Sequence, residues 1–293
     1  MTQQAEGSMA DRRIPRWAAA LLARWAQDRP TVLTRQDVAE YLAELGSDRQ
    51  VDSTIRELVR LGWLKSSRRK GVWAYLAPGE DAVADPYVDL RAWAARDRSV
   101  VFALAGEAAA WHLGYLDRRH VGPTPIWLPG GDRPPFGVRT HVSVVRLGWT
   151  SEDLVDIAPS RELLRRRNLD LTRWAGGLEA FGPEALLVQL SARPASFMPW
   201  ADLVVHLGGL AGDVEDARLL RLLTGQSSSA WQRAAYLLDL GEQSQLARAV
   251  LDQRPNRGLS HVMLGAGTGG EFSSRFKVTD YLAAPYLRRA GKA

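Results

Sequence analysis

Apolar residues recur at helical spacing over two short stretches near the start of the chain. Val38, Tyr41, Leu42 and Leu45 form the first stripe; Val51, Ile55 and Leu58 form the second. Thr34-Arg35-Gln36-Asp37 opens the first helix, with Thr34 placed to cap it and Asp37 three residues on. Gly46 ends that helix, where positive φ suits a C-terminus. Ser47 reads as the next cap, with Gln50 reaching back, so the second helix is expected from about Asp48 to Leu61. Two helices joined by one glycine-centred turn cross steeply, as in a helix-turn-helix. Trp63-Leu64-Lys65 and Val72 to Leu76 then read as two strands around a Ser66–Gly71 turn, which is a wing.

Earlier, Ile14 to Gln27 predicts a helix with Pro15 near its first turn, and with Ile14, Trp17, Leu21 and Trp25 on one face. Pro78-Gly79-Glu80-Asp81 breaks the pattern and marks the expected domain boundary. Beyond it, a helix opens at Asp85-Pro86 and runs through Arg96. Short strands are expected at Val100–Leu104, Pro125–Leu128, Val142–Arg146 and Leu154–Ile157, with a helix over Ala105–Leu113. Helices follow at Ser160–Arg167, Gly182–Ala192, Pro199–Leu210, Val214–Leu223, Ala230–Leu240 and Ser244–Leu251. A strand at Val262–Leu264 and a last helix over Thr279–Ala290 complete the chain. The expected fold class is α+β: a flexible arm over residues 1–11, a winged helix-turn-helix over 12–80, and a larger mixed domain over 81–293 with a small sheet and several helices.

Charge gives the first region its meaning. The net charge of the 293-residue chain is +5. Between Ser47 and Leu76, seven cations (Arg49, Arg56, Arg60, Lys65, Arg68, Arg69, Lys70) stand against three anions (Asp48, Asp52, Glu57). At ~100° per residue, Arg49, Ser53, Arg56 and Arg60 share the helix face opposite the apolar stripe. Guanidinium forks fit guanine edges and phosphates, and a hydroxyl can bond either. The first turn of such a helix reads bases, which assigns Arg49, Gln50 and Ser53 to base edges and Arg56 and Arg60 to phosphates. Thr34, Arg35 and Gln36 join them as DNA-binding candidates at the start of the first helix. The wing tip, Arg68-Arg69-Lys70, has no acid beside it; its mutual repulsion serves no fold but suits a polyanion. A second basic cluster comprises Arg161, Arg165, Arg166, Arg167 and Arg173, either as a solvated helix end or as a supplementary contact. Arg outnumbers Lys almost everywhere, so the preference for Arg is not itself a sign of bidentate recognition.

The chain lacks cysteine, which excludes disulfides, thiolate metal sites and cysteine nucleophiles and agrees with a cytoplasmic location. No apolar run approaches the ~18 residues of a membrane span. His-Glu-x-x-His, Gly-x-Ser-x-Gly and Walker A patterns are absent, and the five histidines have no ligand spacing. No metal, cofactor or catalytic site is expected. Gly265, Gly267 and Gly270 spell Gly-x-Gly-x-x-Gly, but too little chain follows for a dinucleotide-binding unit, and a surface loop is the better reading. Met198-Pro199-Trp200, at a loop–helix junction, is a candidate partner anchor.

Several segments together carry a family resemblance. They are Arg60–Leu64 with Lys70–Trp73, Ala103–Tyr115, Gly182–Gln189, Ser229–Leu238 and the closing Gly291-Lys292. In order and spacing they resemble the AbiEi-type antitoxins of abortive-infection, type IV toxin–antitoxin systems, including mycobacterial members. The resemblance implies a winged helix-turn-helix that binds an inverted-repeat operator in double-stranded DNA and represses its own operon. It also implies a larger domain that counters a cognate nucleotidyltransferase toxin, without catalysis. It names no toxin-contacting residues; Gly182–Leu210 is well matched but apolar enough to be core. Two rivals fit parts of the sequence: a winged-helix regulator whose second domain binds a small effector, and a nuclease with a DNA-targeting head. The second would need clustered carboxylates, and none are seen.

Overall fold

The computed structural model describes residues 12–119, 121–169, 178–256 and 258–290, with side chains to Leu287. The expected arm over residues 1–11, His120, Arg173 and Gly291-Lys292 lie outside these. The chain divides into two compact units, with the break after Val100 rather than at Pro78–Asp81. The reason is the helix at 88–96, which packs on the wing sheet and so belongs to the first unit.

In the N-terminal unit, α1 (Ala19–Asp28) is followed by β1 (Val32–Thr34), α2 (Arg35–Glu44), α3 (Val51–Arg60), β2 (Leu64–Ser66), β3 (Val72–Tyr75) and α4 (Val88–Arg96). β3 lies between β1 and β2, antiparallel to both, with Leu33 opposite Trp73 and Leu64 opposite Tyr75. Leu21, Leu22 and Trp25 of α1, Val38 and Leu42 of α2, and Ile55 and Leu58 of α3 meet Trp63, Leu64 and Tyr75 in one core. The order of elements is compatible with a winged helix-turn-helix. A single 3-10 turn, Arg16–Ala18, precedes α1. Ile14, expected on its buried face, is 55% exposed, because Pro15 is extended and the helix begins only beyond it.

The C-terminal unit is built around α9 (Pro183–Ala192), whose residues from Pro183 to Ser191 are all buried. Apart from Glu184, Gln189 and Ser191 these residues are apolar, and a helix buried on every side belongs at the centre of a domain. It packs on α13 (Ser228–Leu240) and α12 (Asp216–Leu223). A small sheet of β4 (Ala103–Leu104), β5 (Thr124–Trp127) and β6 (Val142–Val145) lies beside α5 (Gly106–His112). β5 runs antiparallel to β4 and parallel to β6. The parallel step returns through α6 (Phe136–Arg139). The remaining helices are α7 (Leu154–Ile157), α8 (Arg161–Arg166), α10 (Trp200–Val204), α11 (Leu207–Gly212) and α14 (Ser244–Gln253), with α15 (Ala284–Ala290) at the end.

Three expectations for this unit change. Leu154–Ile157 is helical, not a strand: Thr150 and Asp153 form a capping box just before it, and the backbone N–H of Thr150 donates to Asp153 at 2.7 Å. Helix was expected from Thr279, but β9 (Val278–Asp280) sits there, between β7 (Val262–Leu264) and β8 (Glu271–Ser273). The helix waits until Ala284 because the buried Asp280 carboxylate accepts the N–H groups of Leu282, Ala283 and Ala284, and the hydroxyl of Tyr236. Finally, Pro199–Leu210 is two helices, α10 and α11, separated at Val205-His206.

The Gly265–Gly270 loop joins β7 to β8. A Cβ on Gly265 would meet Leu282 at 2.4 Å, and one on Gly270 would meet Tyr281 at 2.6 Å. These glycines admit neighbouring side chains, which is a packing role and not a phosphate cradle.

Candidate nucleic-acid interface

The start of α2 follows the sequence closely. Asp37 N–H donates to Thr34 Oγ1 at 3.2 Å, and Thr34 N–H donates to Asp37 Oδ2 at 2.7 Å. Thr34 therefore spends its hydroxyl on the cap. Gln36 donates to Glu40 at 2.9 Å, and Arg35 forms a bond of 2.9 Å to Asp52 of α3. That bond holds the Asp52 carboxyl below, and the Arg35 guanidinium above, its ordinary pKa. Both side chains are exposed, so the pair adds little stability.

The turn is longer than the sequence suggests. Gly46 takes φ +62° and residues 47–50 stay non-helical, so α3 begins at Val51 with Gln50 as its N-terminal flank. Ser47 bonds the N–H of Arg49 at 3.4 Å instead of capping a helix at Asp48. The hydroxyls of Ser53 and Thr54 donate to the Gln50 carbonyl, at 2.8 and 3.0 Å, and tighten the first turn.

Arg49 was assigned to base edges; the structure gives it partners inside the unit. Its guanidinium bonds Glu57 at 2.9 Å and lies 3.8 Å from the centre of the Trp17 ring. Held between an acid and an indole, it ties the segment before α1 to both the turn and the body of α3. Arg56 and Arg60 remain exposed along α3. Arg56 donates to the Asp52 carbonyl at 3.2 Å and its charge helps lower the Asp52 carboxyl, behind Arg35; neither Arg56 nor Arg60 forms an ion pair within hydrogen-bonding reach among the described residues.

In the wing, Gly71 at φ +81° closes the turn, and Ser67 Oγ organises it by accepting from Arg69 N–H at 3.1 Å and donating to the Val72 carbonyl at 2.9 Å. The three tip cations then part ways. Arg68 pairs with Asp89 of α4 at 3.1 Å. Arg69 is half-buried, and its charge helps hold the Asp97 carboxyl low, behind the hydrogen bonds from Ser99. Lys70 is exposed. Arg35, Arg49 and Arg68 are thus matched by Asp52, Glu57 and Asp89, leaving Arg56, Arg60, Lys65 and Lys70 as the exposed cations outside ion pairs between Ser47 and Leu76.

The segment before α1 adds cations that the sequence reading passed over. Arg12 lies 5.6 Å from the Trp63 ring centre, its Nε would sit 3.6 Å from a Cβ on Gly62, and it binds the Glu80 carbonyl. Trp63 Nε1 donates to the Arg13 carbonyl at 3.4 Å. Arg13 and Arg16 are exposed. The available signal was the run Arg12-Arg13-x-x-Arg16, hidden because it straddles a proline.

The second basic cluster is largely neutralised. Arg165 bonds Glu162 at 2.8 Å, and Arg166 approaches Asp213 at 3.7 Å. Arg167 bonds the same Asp213 and lies over the Tyr115 ring at 4.4 Å. Tyr115 also donates to Asp213, at 3.0 Å, and burial followed by that carboxylate raises its pKa. Arg161, at the N-terminus of α8, is exposed. Trp200 is buried at 3% exposure and donates to the Pro194 carbonyl, so of the proposed partner anchor only Met198 faces solvent. Among the described residues, no group of three or more His, Asp or Glu side chains could hold a metal ion. No described helix is long and apolar enough to cross a membrane.

A basic helix-and-wing unit joined to an α+β body defines a class, and comparison with known proteins narrows it. Residues 101–240 match the family model of the AbiEi antitoxin C-terminal domain. The chain is 49% identical to the protein in the "Crystal structure of RV2827C protein from Mycobacterium tuberculosis", covering 96% of this chain and 97% of that one, with a TM-score of 0.81. It belongs to the AbiEi antitoxin family. No curated protein matches it.

Proposed function

We propose that the chain is a DNA-binding autorepressor and antitoxin, acting in the cytoplasm by binding and not by catalysis. The carrying observation is the set of exposed cations outside ion pairs (Arg56 and Arg60 on α3, Lys70 at the wing tip) in the helix-and-wing unit of a chain whose other unit is an antitoxin domain. α3 enters the major groove of an inverted-repeat operator, with Gln50 and Ser53 at its first turn nearest the base edges. Arg56, Arg60, Arg69 and Lys70 hold phosphates, supported by Thr34, Arg35 and Gln36 at the head of α2. Arg49 braces α3 rather than reading a base. The C-terminal unit counters a cognate nucleotidyltransferase toxin.

Two measurements test this. The full chain, mixed with duplex DNA from its own promoter, should bind more tightly than to scrambled duplex, with affinity falling steeply as salt rises. Co-expression with the product of an adjacent nucleotidyltransferase gene should restore growth. Salt-independent binding would remove the DNA role, and growth arrest despite soluble full-length chain would remove the toxin.

A further inference from the structure

The segment before α1 is anchored at two places, and both belong to the surface just described. At one end Arg12 packs on Trp63 and Gly62, where α3 gives way to the wing. At the other, Trp17 stacks against Arg49, at the turn that leads into α3. Residues 12–17 therefore run alongside α3, linking its C-terminal end to its N-terminal end. The helix periodicity gives the side. With Thr54, Ile55 and Leu58 buried, Glu57 (the partner of Arg49) and Asp52 (the partner of Arg35) flank the exposed face on opposite sides at ~100° per residue. The segment borders the Glu57 side, and α2 borders the Asp52 side.

Between the anchors, Pro15 is extended and the carbonyl of Arg13 is held by Trp63, so the backbone is fixed. Arg13 and Arg16 are exposed and have no acidic partner among the described residues. The contrast with Arg35, Arg49 and Arg68 is informative, since each of those cations has found a carboxylate. Two unmatched guanidiniums on a pinned backbone, beside a face that already carries Arg56 and Arg60, extend one positive surface rather than starting another.

We propose that Arg12–Trp17 is a second DNA-contacting element, in which Arg13 and Arg16 bind backbone phosphates flanking the groove that receives α3. Arg12 and Trp17 are its positioning residues. This rests on the DNA-binding reading above. The element adds affinity for any duplex and no sequence preference, because phosphate contacts position without reading bases.

The test is the salt dependence of binding of the full chain to a mixed-sequence DNA duplex, for Arg13→Ala/Arg16→Ala, Arg13→Lys/Arg16→Lys and Arg56→Ala/Arg60→Ala. Two lost phosphate contacts should lower the slope of log K against log salt by about 1.8. That loss is expected for the first and third variants, with the lysine variant near the parent. A parental slope in Arg13→Ala/Arg16→Ala, alongside a reduced one in Arg56→Ala/Arg60→Ala, overturns the element and leaves the DNA reading intact. Parental slopes in both overturn both.

Discussion

Replacing Arg49 with alanine separates the two roles the residue could have. The substitution removes a 2.9 Å ion pair with Glu57, whose side chains are each about one-third exposed, and a stack on Trp17 at 3.8 Å. An ion pair exposed to that degree contributes about 0.5 kcal/mol after solvent screening. The cation–π contact adds roughly 0.5–1 kcal/mol. Arg49→Ala should then cost the N-terminal unit about 1–1.5 kcal/mol, or ~4–10 °C in melting temperature for a domain of this size. Binding should weaken equally for operator and scrambled duplex, since α3 is less firmly held. A double-mutant cycle with Glu57→Ala should show coupling of about 0.5 kcal/mol, and Glu57→Ala alone should reproduce part of the binding loss. A base contact would show the opposite signature, which refutes the bracing role: Arg49→Ala would leave thermal stability intact and erase about 1–3 kcal/mol of discrimination between duplexes, while Glu57→Ala would not.

Other consequences can be measured directly. Burial drives the His112 pKa down to about 4. The unfolded chain therefore binds a proton that the folded chain refuses between the ordinary value of 6.5 and 4. The His112 contribution to urea stability should be full above pH 6.5 and decline as pH falls toward 4, so the parent should lose stability relative to His112→Gln over that window; a difference that does not change with pH would argue against a neutral buried imidazole. Glu184 is shifted the other way, raised chiefly by burial, so its contribution is present below the unfolded value of 4.5 and lost as pH rises through the folded one. Glu184→Gln should accordingly gain stability relative to the parent at neutral pH but not at pH 4, and a parent-to-variant difference that is the same at pH 4 and 7 would refute the shift. Asp280→Asn retains one acceptor for Leu282 and Ala283 but turns an amide NH₂ toward the N–H of Ala284 or toward Tyr236. The orphaned buried donor should cost about 1–3 kcal/mol in urea melts; a neutral result would mean the carboxylate is dispensable. In the wing, Lys70→Ala should lower the salt slope by about 0.9, and Arg68→Ala by less, because Asp89 already engages Arg68.

The parts legible in the sequence were those governed by local periodicity and caps. The α2 box needed only Thr34 and Asp37, and the wing strands needed only their β-formers and Gly71. The helix α9 is legible too, and its mostly apolar sequence points to core. What escaped was set by partners distant in the chain. Nothing local told that Arg49 would meet Trp17, or that Arg167 would meet Asp213. β9 was lost for the same reason: Val278-Thr279-Asp280 is too short to show a period, and its strand character comes from β7 and β8 on either side. Trp200 looked exposable at a loop junction, yet Phe197 packs edge-on against it at 5.8 Å within the core.

The placement of β9 also sets an order on synthesis. In both the first and the third sheets, the strand made last occupies the middle, as β3 between β1 and β2 and β9 between β7 and β8. While the ribosome is still short of Val278, β7 and β8 have no neighbour to bond, and the Asp280 carboxylate that gathers Tyr236 and the last helix does not yet exist. A nascent chain interrupted there carries two unsatisfied edges and an open seam along α13, features that invite aggregation or proteolysis. Completion of the final strand is thus what closes the C-terminal unit, so incomplete translation products are selectively left vulnerable.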